Sequence, residues 1–113
     1  MEIRLDRFSI ELKVPELVPI LEKAAQLSEY PNARFVYEAI LEIVTRANSP
    51  SMGQSACERI ITMCHPKGWG DQLVGSFGTH EFAWINFLGE LSDIANKSGQ
   101  QIFDNSNRSA SGS

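Results

Sequence analysis

Residues 8–14, FSIELKV, alternate without a break: Phe8, Ile10, Leu12 and Val14 fall on one side, Ser9, Glu11 and Lys13 on the other. A period of two is the pattern of a half-buried strand and predicts a short N-terminal β-strand. The preceding MEIRL alternates in the opposite phase through Ile3 and Leu5, which places a bulge or break near Asp6–Arg7. A lone strand leaves backbone N–H and C=O groups unpaired, so it needs a mate. The chain offers one other short candidate, QQIFD at 100–104. Otherwise the mate is the same strand of a second copy, or the sheet edge of another protein.

From residue 15 onward the period becomes helical. PELVPILEKAAQLSEY predicts a first helix, with Pro15 or Pro19 in its opening turn, where a missing N–H costs nothing. Leu17, Leu21, Ala24, Ala25 and Ser28 form its stripe, Glu16, Glu22, Lys23 and Glu29 lie away from it, and Pro31 closes it. PNARFVYEAILEIVTRANS predicts the second, starting at Pro31 or Asn32 and stopped by Asn48 with Pro50. Phe35, Val36, Ala39, Ile40, Ile43, Val44 and Ala47 trace one wide apolar face, expected to be core. Glu42 and Arg46 make a favourable i,i+4 pair on the other side.

SPSMGQSACERIITMCH predicts the third helix, with Met52, Ala56, Ile60 and Met63 in line, broadened by Cys57, Ile61 and Cys64. Gly53 weakens its start and Pro66 ends it, because the residue before proline avoids the helical region. The fourth starts at Thr79, a good N-cap, with Glu81 suited to its first turn. Trp84, Phe87, Leu88, Leu91 and Ala95 make one face, which Phe82, Ile85 and Gly89 extend, so this is expected to be the central helix. Gly99 reads as its C-cap. The closing DNSNRSASGS has nothing to bury and reads as disordered. The expectation is a mainly α fold: a compact bundle of about four helices with a short N-terminal β-strand, occupying residues 1–104, and a disordered polar tail at 105–113.

Composition narrows this further. The chain of 113 residues suits one domain, and 42% apolar with 21% charged residues is ordinary for a folded globule. No apolar run approaches the roughly 20 residues that cross a bilayer, and the N-terminus lacks the apolar centre of a signal peptide. A cytoplasmic chain without a membrane partner is expected. Net charge is −4 and the ten basic residues form no run. Phosphate binding wants clustered Lys and Arg, so direct nucleic-acid binding is not expected unless the fold gathers Arg34, Arg46 and Arg59. An acidic surface steers instead toward a basic protein partner.

Candidate chemistry concentrates in residues 62–84, TMCHPKGWGDQLVGSFGTHEFAW, which hold both histidines, both tryptophans and Cys64. About fourteen residues between Cys64 and Thr79 show no period, and connections that long are often functional. Cys57, Cys64, His65 and His80 are zinc-ligand types, but their spacing does not match compact zinc motifs. Cys57 and Cys64 sit two helical turns apart, about 10 Å by rise, too far for a disulfide. Both are expected to be reduced. A thiol at a helix C-terminus faces the negative end of the dipole, which counts against Cys64 as a nucleophile toward His65 or His80. GWGDQLVG contains G-x-G but follows no strand. No catalytic residue, metal or cofactor is expected.

Gly68 and Gly70 bracket Trp69, beside Asp71. That ring is either an exposed anchor for a partner, as Trp often is at binding hot spots, or a lid over the core with Leu73, Val74 and Phe77. Trp69, Gly68, Gly70 and Asp71, with Glu11 and Lys13 on the strand, are the candidate interaction residues. The functional expectation is a small non-enzymatic interaction module, an adaptor, inhibitor or immunity-type protein that occupies a partner's surface. The partner is another protein, with a homodimer through the strand as one form. The alternatives are a regulatory protein of a DNA-associated system and a small thiol or metal-dependent enzyme.

Overall fold

Among the described residues the helices α1 (Val18–Ala24), α2 (Arg34–Thr45), α3 (Pro50–Met63) and α4 (Ala83–Ser111) pack together in an all-α arrangement. The computed structural model describes residues 2–5, 8–65, 67–69 and 83–111, with side chains described from Glu11 onward except at Asn32 and 108–111. The expected first helix is three pieces: a 3-10 turn at Pro15–Leu17, α1, and a second 3-10 turn at Ala25–Glu29. Its tighter ends bring Ile20 and Leu27 inward beside Leu17, Leu21 and Ala24, while Ala25 and Ser28 are only half-buried. Pro50 both blocks α2 from continuing and opens α3, whose N-cap Ser49 accepts a hydrogen bond from the Met52 N–H at 3.3 Å.

The long helix α4 carries the fold. Trp84, Phe87, Leu88, Leu91, Ala95, Ser98 and Ile102 are buried along one stripe that packs on α3, α1 and the Pro15–Leu17 turn. At about 100° per residue these seven positions stay within roughly 100° of arc, narrower than expected. Ile85 and Gly89 lie outside it and are exposed. Gly99 does not cap this helix, which runs on to Ser111. Segment 100–104 is therefore helical and not a strand mate, and the polar stretch from Asn105, expected to be disordered, is helical as far as Ser111. Asn105 Nδ2 donates to Glu16 Oε1 at 3.2 Å, tying this end to the Pro15–Leu17 turn.

Two glycines explain how the helices approach. A Cβ on Gly53 would sit 3.0 Å from both Val14 Cγ1 and Ile102 Cδ1, so the absent side chain is where the N-terminal segment and the end of α4 meet on α3. Gly99 faces Cys57, whose Cβ would lie 3.4 Å from an added methyl.

The N-terminal strand is not supported as a layer of this fold. The backbone at Glu2–Leu5 pairs antiparallel with Phe8–Glu11, Ile3 opposite Ile10, so the nearest mate is the oppositely phased segment just before it. A two-stranded hairpin is marginal alone. Leu12 and Val14, expected on the strand's buried face, lie beyond the paired backbone and are buried in the helical core. The start of the fourth helix, expected at Thr79, falls outside the described residues, as do Gly70 and Asp71. Among the described residues no helix is long and apolar enough to cross a membrane.

Candidate functional site

Helix α2 is apolar over more than half its circumference, and one arc of it is buried. Val36, Tyr37, Ile40 and Val44 face the core. Phe35, Ala39 and Ile43, read from the sequence as part of the same face, lie on the neighbouring arc; Phe35 is 45% exposed and the other two are half-buried. The helix is turned by about 60° from the expected face, counting 100° per residue. Tyr37, not counted as core from the sequence, is buried.

A groove results where that arc meets α3. Ala39, Ile43, Ala47 and Ala56 line it, with Met52, 44% exposed, on the α3 lip. Its volume is about 260 Å³. The rim is charged: Arg46 Nη2 donates to Glu42 Oε1 at 2.8 Å, the expected i,i+4 pair, and Arg59 stands on the other side, exposed, without an ion pair among the described residues. Arg34, the third arginine considered for phosphate binding, donates to Glu38 at 3.4 Å. Two of the three cations thus pair with carboxylates of their own helix.

Of the residues nominated from the sequence, Gly68, Trp69, Glu11 and Lys13 are described and Gly70 and Asp71 are not. Trp69 is 4% exposed, part of the core, and its carbonyl accepts a hydrogen bond from Trp84 Nε1–H at 2.9 Å. The Trp84 ring stacks on Phe87 with centroids 5.8 Å apart. Lys23 Nζ lies 5.0 Å from the Phe87 centroid and pairs with Glu90. Gly68 is needed for close approach, since a Cβ there would lie 2.5 Å from the Met63 carbonyl oxygen. Glu11 and Lys13 are exposed and pair with each other at 3.2 Å, an exposed contact of small energetic worth.

The thiols are free, Cys57 buried and Cys64 partly so. Burial pushes Cys57 up to about 11, with the charge of Glu58 adding to the rise, and pushes Cys64 up to about 12. The cause at Cys64 is desolvation by burial, where the sequence points to the helix dipole. In the unfolded chain both would ionise near 9.0. As pH rises past that value the unfolded chain holds fewer protons than the folded one, so stability falls. The contribution is present below pH 9.0 and is lost as pH climbs toward 11 and 12. Urea midpoints measured across this window should fall more steeply for the native chain than for the Cys57→Ala, Cys64→Ala double variant. Parallel curves would show that the folded thiols ionise normally.

Among the described residues no group of three or more His, Cys, Asp or Glu converges on a point where a metal ion could sit. His80 lies outside them. The groove was missed from the sequence because its residues were assigned to the core; the signal available was an apolar arc on α2 too wide for one contact. No protein-family model matches this chain, and no curated protein or solved structure does either.

Proposed function

We propose that this chain is a small non-enzymatic interaction module, an adaptor, inhibitor or immunity-type protein, that acts in the cytoplasm by occupying a partner's surface through the α2–α3 groove. One observation carries the reading: half-buried Ala39 and Ile43 and exposed Met52 line one apolar groove between charged rims, and Phe35 is exposed on the same arc of α2. Exposed apolar groupings with polar borders are a recurrent mark of interaction sites. The raised thiol pKa values supply no activated nucleophile, and free thiols suit a reducing compartment.

The test uses Met52→Glu, which alters an exposed lip and should leave the unfolding free energy from urea titration within about 0.5 kcal/mol of the native value. Partners recovered on the immobilised native chain are identified, purified and titrated against both proteins. The module reading expects affinity to fall by about fiftyfold or more, some 2.3 kcal/mol. Unchanged affinity for every recovered partner would remove the groove from the function.

A further inference from the structure

We infer that the α2–α3 groove seats a short amphipathic helix of a partner protein, one whose apolar face is flanked by carboxylates. This rests on the interaction-module reading and adds the partner's chemistry. The groove runs between two helices, so a third helix can lay a ridge of side chains into it. At about 260 Å³ it is smaller than pockets that enclose drug-sized molecules or cofactors, but it accepts anchoring side chains of a helix. Alanines at 39, 47 and 56 keep the floor low, and Met52 on the lip can change shape around an incoming side chain.

The charges choose the flanks. Arg46 and Glu42 neutralise each other, and among the described residues Arg59 has no ion pair on the rim, on a chain whose net charge is −4. A locally cationic rim on an acidic protein favours an acidic partner at this place and repels a basic one. A second copy fits less well. Stable interfaces engage about 20–30 residues a side, whereas nine line this groove.

The test measures fluorescence anisotropy of the full-length protein with two labelled, helix-stabilised peptides of about 14 residues, or four turns. Both carry Leu at i, i+3, i+4 and i+7; one has Glu flanking the Leu face, the other Lys. The Glu peptide should bind about tenfold tighter or more. Arg59→Glu should invert that order, and Met52→Glu should weaken both peptides about tenfold. Binding by neither peptide, equal binding, or an order unchanged in Arg59→Glu overturns the assignment. If Met52→Glu still releases a purified natural partner while the peptides fail, the module reading stands and the acidic helix falls. A dimer in sedimentation that Met52→Glu dissociates would transfer the groove to a second copy and overturn the inference.

Discussion

Trp69→Ala should lower the stability of this protein by about 3–5 kcal/mol, the range for emptying a buried aromatic site. That is a large part of the roughly 5–15 kcal/mol that a domain has in total. The ring is 4% exposed, and its backbone is held by the Trp84 indole, whose stacking partner Phe87 belongs to the same buried stripe. Urea unfolding followed by far-ultraviolet circular dichroism should show the midpoint moving down by about 2–4 M at ordinary denaturant slopes. Trp84→Phe separates the parts. It keeps an aromatic ring but removes the N–H that satisfies the Trp69 carbonyl, and should cost about 1–3 kcal/mol. A loss under about 1 kcal/mol for Trp69→Ala would mean that its ring is not packed. The prediction also bears on function, because weaker partner binding by this variant would report unfolding before it reported a lost contact.

Gly53→Leu should cost about 2–3 kcal/mol by overpacking. Its side chain would enter the space already held by Val14 and Ile102, whose methyl carbons lie 3.0 Å from where the first added carbon must go. Gly89→Ala is the matched control. Nothing lies within 4 Å of its added methyl, and the position is exposed in the interior of α4. There the helix should gain about 0.5–1 kcal/mol from alanine's smaller backbone entropy loss. Opposite signs at the two glycines are the expected result. Tolerance of leucine at Gly53 would mean that the N-terminal segment and the last turns of α4 do not meet on α3, and that the helix ends nearer Gly99.

Much of the helix content was legible because the apolar spacing is regular. In α4, Trp84, Phe87, Leu88, Leu91 and Ala95 were read as buried and are. In α3 the line of Ala56, Cys57 and Ile60 was likewise readable, although Met52 at its head is exposed. The misplaced features share a cause: a local signal that two structures satisfy equally. Gly99 has the composition of a cap and also of a close helix contact; Cys57 opposite it makes it the second. Residues 100–104 look extended only when Ile102 is not credited to the stripe that Ala95 and Ser98 continue. Trp69 between two glycines fits an exposed anchor and a lid over the core alike; its burial and the Trp84 donor to its carbonyl decide for the core.

The sequence by itself determined that four segments are helical, that Pro31 and Pro50 lie between them, and that Trp84, Phe87, Leu88, Leu91 and Ala95 face inward on α4. Those properties follow from neighbours within one or two turns, which backbone geometry brings together wherever the chain lies. Only the tertiary structure decided which part of an over-wide apolar arc is covered. On α2 the choice between Val36–Tyr37–Ile40–Val44 and Phe35–Ala39–Ile43 depends on where α3 and the segments around α1 come to rest. Both arcs are greasy enough to be core, and among the described residues the neighbouring elements cover only the first. The uncovered one becomes the groove.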